Sequence, residues 1–237
     1  MKPLYKRILL KLSGEGLAGE NKNGIDSTVV ERLAAEISEV RKKGVQVCLV
    51  VGGGNFFRGA KNAAGFMDRS VADQVGMMAT VMNALVLKSA LKAVNCPTEV
   101  YSGLMVPQAC ENYSFRHAEA SLNDGKVVIF AGGTGSPYFT TDTCAALRAT
   151  EMHCDVLMKA TQVDGVYDSD PRSNPQAKRY DAVSYSEVID KRLNVMDITA
   201  VALAQETNLR IMIFAQSEPD AIIKAVRGEV KHTIIKA

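Results

Sequence analysis

The sequence has almost no surplus charge of either sign. Lys and Arg total 28 against 26 Asp and Glu, a formal net charge of +2. The basic residues are scattered rather than massed, so the chain lacks the electrostatic footprint of a nucleic-acid binder. Its three histidines, His117, His153 and His232, are far apart and without ligand spacing, which leaves no structural metal site to expect. The five cysteines, Cys48, Cys96, Cys110, Cys144 and Cys154, include no CxxC pair. They sit mostly in apolar stretches and read as reduced core thiols of a cytoplasmic protein. No apolar run approaches the roughly 20 residues of a spanning helix, so no membrane partner is expected. The basic start, Met1 to Leu12, is interrupted by Lys11 before it builds an export-signal core, and reads as a first strand. Both common nucleotide fingerprints are missing. There is no GxxxxGK[ST], and the triple glycine Gly52-Gly53-Gly54 is followed by Asn55-Phe56-Phe57, which breaks GxGxxG.

What the chain does have is the material of an ordinary globular core: 47% hydrophobic and 23% charged residues over 237 positions. Folding at this length buries about 70 to 75% of the unfolded surface. Short apolar runs recur at Ile8 to Leu12, Val45 to Val51, Glu99 to Tyr101, Val127 to Ala131, Val156 to Lys159 and Ile211 to Phe214. Each reads as a buried strand. Between them lie helix-length stretches. The clearest, Asp26 to Lys43, places Val29, Leu33, Ile37 and Val40 on one stripe, with Asp26 or Ser27 as N-cap and Gly44 as terminator. A long apolar helix is predicted from Arg69 to Leu91, extending to Asp68 and Val94 at most, and another from Cys144 to Met152. Strand and helix in alternation predict α/β architecture, a three-layer αβα sandwich with a mostly parallel central sheet. We read 1–237 as a single domain, with Asp168 to Pro175 as a long loop and a functional division near Val156, into 1–155 and 156–237.

Ligands of such sheets sit at the carboxyl ends of the strands. After the first strand stands Lys11-Leu12-Ser13-Gly14, after the second Gly52-Gly53-Gly54-Asn55 with Arg58, and after the fourth Gly132-Gly133-Thr134-Gly135-Ser136-Pro137. Glycine permits backbone N–H groups to approach phosphate oxygens, and helix starts favour anions. Any one of these loops is equally well explained as a tight turn. Three together, with Lys11 and Arg58 beside them, favour polyphosphate. Thr140, Thr141 and Asp142 fall where a helix should begin and can cap it. Lys159 closes the fifth strand and provides a second cation across from Lys11 if the two strands run in one direction. Phosphoryl transfer requires such clamps.

These segments, KLSG at Lys11 to Gly14, GGGN at Gly52 to Asn55, GTGSPYFTTD at Gly133 to Asp142 and KATQVDGVYDSDP at Lys159 to Pro171, resemble the amino-acid kinase superfamily and, within it, the bacterial UMP kinases. The match runs in order along essentially the whole chain. KLSG and VDGVY are shared with kinases of amino-acid carboxylates. GGGNFFRG, the Asp73 region and GTGSPYFTTD are the discriminating segments.

The resemblance implies transfer of the γ-phosphoryl group of ATP, with Mg²⁺, to UMP in pyrimidine nucleotide biosynthesis. It places Lys11, Leu12, Ser13, Gly14, Gly54, Arg58, Thr161, Tyr167 and Asp170 with ATP. Gly53, Asp73, Thr134, Gly135, Ser136, Pro137, Tyr138, Phe139, Thr140 and Thr141 fall with UMP. Lys11, Arg58, Asp142 and Lys159 would form the catalytic group. It also implies a homohexamer, GTP as activator and UTP as inhibitor. The loop Gly19 to Gly24 departs from the pattern of GTP-responsive members, which carry an aromatic residue where this chain has Asn23. Two rivals stay open on sequence alone: a kinase of the same fold acting on a carboxylate or carbamate, and a nucleotide-binding regulator without catalysis.

Overall fold

The protein, seen in a computed structural model, is described over residues 2–21, 23–57 and 66–237. A nine-stranded sheet runs through it in the order β4-β3-β5-β2-β1-β6-β8-β9-β7. Its strands are β1 (Arg7–Leu12), β2 (Gln46–Val51), β3 (Thr98–Ser102), β4 (Glu111–Asn112), β5 (Val127–Ala131), β6 (Val156–Thr161), β7 (Ala182–Ser184), β8 (Ile211–Ala215) and β9 (His232–Lys236). All neighbouring pairs are parallel except β8 with β9. All six expected strands are present, within two residues of the expected ends.

The two-residue period of each strand sorts its side chains between two cores. Ile8, Leu10 and Leu12 of β1 join one core with α2 (Ser27–Lys42), α3 (Arg69–Ala93) and α8 (Ala221–Arg227). Leu9 of β1 and Leu157 of β6 join the other, with α4 (Phe115–Asn123), α5 (Thr141–Glu151), α6 (Tyr185–Asp190) and α7 (Ile198–Glu206). A short helix, α1 (Gly14–Leu17), follows β1 directly. The sheet lies between two helical layers, as the strand and helix alternation predicted.

Local chemistry fixes the helix ends. Asp26, rather than Ser27, caps α2, accepting from the Thr28 and Val29 amides, and Gly44 follows the helix at φ +84°. The helix α5 begins three residues before the expected Cys144. Thr140 alone supplies the cap, accepting from the Asp142 and Thr143 amides, while Thr141 and Asp142 are the first helical residues. All five cysteines are free, four of them buried. Contrary to the expectation from the sequence, the helix α3 is long and apolar enough to cross a membrane by length and composition. It is instead laid against the sheet, burying Ala72, Val81, Ala84, Leu87 and Leu91.

Candidate active site

The strands carrying the three glycine loops are neighbours, in the order β5-β2-β1, so their carboxyl ends open on one edge. The approach is backbone to backbone. A Cβ on Gly14 would lie 2.5 Å from the Gly52 carbonyl oxygen and 2.7 Å from Asn55 Oδ1, so position 14 has no room for a side chain against the second loop. Gly132 and Gly133 both adopt positive φ, +68° and +57°, as do Gly135 and Tyr138.

Lys11 of β1 stands directly opposite Lys159 of β6 in the parallel register. Both side chains lie on the face of Leu9 and Leu157, the face covered by α5. Two ammonium groups so placed repel, and Asp142 in the first turn of α5 bridges them. Its Oδ1 lies 2.8 Å from Lys11 Nζ and its Oδ2 2.6 Å from Lys159 Nζ. The three side chains are only 11 to 14% exposed. Burial pushes the Asp142 carboxyl up, but the charges of Lys11 and Lys159 outweigh it and hold the group below its ordinary range. Burial lowers the Lys159 ammonium, Asp142 opposes that shift and Lys11 adds to it. The two ammonium groups of the trio face one carboxylate directly, with the Asp197 carboxylate acting on Lys159 as a second negative charge. The trio lies beside the N-terminus of α5, a setting for an anion.

Asp197, which the sequence reading missed, organises the same helix start. It accepts from Thr140 Oγ1 at 2.5 Å and from Thr143 Oγ1 at 2.8 Å, and caps α7 through the Ala200 amide at 3.0 Å. One carboxylate thus ties the start of α5 to the start of α7. Its signal in the sequence was an aspartate just ahead of the apolar run Ile198 to Leu203, a helix-start pattern.

Asp73 of α3 reaches the loop after β5. It accepts the Tyr138 amide at 2.8 Å while Arg69 holds it from 2.9 Å, and the Arg69 guanidinium lies 5.3 Å from the Tyr138 ring centre. Thr134 and Ser136 close a turn, the Ser136 amide donating to Thr134 Oγ1 at 3.2 Å. Tyr138 and Phe139 are exposed. Gly53 packs beneath α3, and Gly54 lies near Glu15. Thr141 Oγ1 lies 3.7 Å from where a Cβ on Gly52 would stand.

On the other side of Lys159 a cavity of 410 Å³ is lined by Lys159, Thr161, Tyr167 and Asp170 together with Val195 and Ile213. A second space of 280 Å³, lined by Lys11, Ser13, Glu15 and Thr161, shares Lys159 and Arg172 with it. Tyr167 donates to Asp164 at 2.6 Å, and Asp170 is paired with Arg172 at 2.9 Å. Leu12 turns its side chain into the opposite core and brings only backbone to this edge. Arg58 lies outside the described residues.

A mostly parallel sheet with three glycine loops at one edge and a lysine-aspartate-lysine bridge beside them defines a phosphate-handling α/β protein. The model of the Amino acid kinase family matches residues 6–215, and the chain belongs to that family. It is 51% identical over 234 residues to the uridylate kinase of Erythrobacter litoralis, spanning 99% of this chain and 98% of that one. To the uridylate kinase of Mesorhizobium japonicum it is 48% identical over 235 residues, again 99% and 98% of the two chains. Among solved structures, the UMP kinase of Ureaplasma parvum superposes with a TM-score of 0.93 at 38% identity, covering 100% of both chains. That of Bacillus anthracis gives 0.93 at 37%, covering 98% of this chain and 96% of the other.

Proposed function

We propose that the protein is an ATP-dependent UMP kinase, forming UDP and ADP in pyrimidine nucleotide biosynthesis. The observation that carries the reaction type is the Lys11–Asp142–Lys159 bridge at the meeting point of the glycine loops. Full-length relatives named uridylate kinase support UMP, rather than an amino-acid carboxylate, as the acceptor.

In this reading residues 156–237 form the ATP side. The 410 Å³ cavity with Thr161, Tyr167 and Asp170 lies wholly within that part of the chain. Lys11, Ser13, Gly14, Gly54, Arg58 and the Leu12 backbone take the phosphates. Residues 1–155 bind UMP through Gly53, Asp73 and the run Thr134 to Thr141. Asp73 accepts from ribose hydroxyls, while the run surrounds base and phosphate.

Lys11 and Lys159 face the transferring group. Charge growing on its oxygens is met by ammonium groups that Asp142 has already positioned, so little reorganisation is needed at the moment of transfer. The UMP phosphate attacks in line, and no covalent phospho-enzyme is formed. ATP enters as its Mg²⁺ complex, the metal carried by phosphate oxygens.

The enzyme works in the cytoplasm as a homohexamer. The exposed stripe Val71, Val75, Met78 and Met82 on α3 supports self-association. UTP inhibition belongs to the same reading, while Asn23, standing where GTP-responsive members carry an aromatic residue, argues against GTP activation. The test is ADP release from ATP-Mg²⁺ with UMP, CMP, dUMP, AMP, aspartate, glutamate, acetylglutamate and carbamate in turn. Turnover with UMP is expected, and turnover with an amino acid alone would move the acceptor assignment.

A further inference from the structure

The inward face of α3 is built from small and polar residues where it crosses the glycine loops. A Cβ on Gly53 would lie 2.7 Å from the Gly76 carbonyl oxygen and 2.8 Å from the Ala79 Cβ, so the loop after β2 rests on the helix itself. One turn on, the buried Thr80 hydroxyl accepts the Gly132 amide at 2.8 Å and donates to the Met77 carbonyl at 2.7 Å. Asn83, also buried, donates to the Gly52 carbonyl at 2.7 Å and exchanges amide hydrogen bonds with Asn55 at 2.7 and 3.0 Å. The helix therefore holds the loop after β2 through Asn83 and the loop after β5 through Thr80, two attachment points three residues apart on one rigid element.

The Thr80 hydroxyl has its one proton committed to Met77, so it can serve Gly132 only as acceptor. The Gly132 amide is buried and starts a pair of left-handed residues, Gly132 and Gly133. Without a partner this N–H group has reason to move, and movement there displaces the start of the run from Thr134 to Thr141. We propose that Thr80 is a positioning residue for the acceptor nucleotide: it never touches UMP but fixes the loop that does, at a set distance from the loop that Asn83 fixes. The proposal rests on the assignment of the run Thr134 to Thr141 to UMP.

The test is steady-state kinetics of the full-length enzyme carrying Thr80→Val, Thr80→Ser or Gly135→Ala, with KM for UMP and for ATP measured separately. Val keeps the shape of Thr but removes the acceptor. Thr80→Val is expected to raise KM for UMP about tenfold, the factor given by roughly 1.4 kcal/mol of lost hydrogen bonding. KM for ATP should stay within about twofold, and Thr80→Ser should restore UMP binding. Thr80→Ala makes the same test should the Val variant fail to fold. Equal increases in both KM values, no increase in either, or failure of Ser to rescue would overturn the proposal. Gly135→Ala strikes the loop directly, because its Cβ would meet the Gly103 carbonyl oxygen at 2.5 Å. If that variant leaves KM for UMP unchanged, the loop's assignment to UMP falls. If it raises KM and Thr80→Val does not, only the role of Thr80 falls.

Discussion

Asp142 is the residue on which the charge arrangement turns. It separates two buried ammonium groups that adjacent strands force together, and its carboxyl is held below its ordinary value of 3.8 because those charges outweigh the effect of burial. A carboxylate depressed in the folded state contributes stability that is fully present above its unfolded value, and that stability is lost as the pH falls through the folded value. Asp142→Asn should therefore remove part of the stability loss seen below about pH 4. At neutral pH it should be less stable than the parent by roughly 3 kcal/mol, the lower range for breaking a buried pair and stranding its partner. Urea unfolding midpoints of both proteins from pH 3 to pH 7 check this. Parallel curves with the same midpoint would mean that the bridge contributes nothing.

At the level of elements, the site depends on how helix starts are aimed. Asp197 joins the first turns of α5 and α7, so Asp197→Ala removes the acceptor for two threonine hydroxyls and one amide. A loss of about 1 to 2 kcal/mol is expected, with a fall in kcat as Asp142 loses its fixed position. Thermal unfolding together with turnover measures both, and a stability loss with unchanged kcat would confine Asp197 to a structural part. The same elements explain what could be read in advance. β2, β5 and β8 are almost unbroken apolar runs because both faces are covered, and in β1 and β6 the interior of the run is broken only by Lys11 and Lys159, so all five stand out from their neighbours. β9 alternates buried and half-buried positions at the sheet's antiparallel side. β4 and β7 are two and three residues long, too short to form a pattern. Lys11 and Lys159 were legible because each is a charge set into an apolar run near the carboxyl end of its strand, although β6 runs on two residues past Lys159, where the apolar run was expected to end. The local pattern at Asp197 marks only its cap on α7, while the bonds by which Asp197, Thr80 and Asn83 hold the site run across intervals of 28 to 57 residues, and no local spacing reveals those.

For the whole molecule, two properties follow from the way the layers meet. One is the stripe on α3, whose outward face leaves Val71, Val75, Met78 and Met82 between 37 and 48% exposed while its inward face supports the glycine loops. Met78→Lys with Met82→Lys should lower the mass in solution relative to the parent, as judged by sedimentation equilibrium. An unchanged mass would remove this stripe from the proposed self-association. The other property is the order across the sheet, with the 410 Å³ cavity beyond β6, the glycine loop after β5 and the lysine bridge between them, to which the proposed function assigns ATP, UMP and the transferring group in turn. Transfer of label from γ-³²P-ATP to UMP in a single turnover, with the parent and Lys11→Ala side by side, tests that account most directly. It predicts labelled UDP, formed by the parent at a rate about 10²- to 10³-fold above the variant. Label appearing on an amino-acid acceptor instead, or reaching UDP equally fast without Lys11, would contradict it.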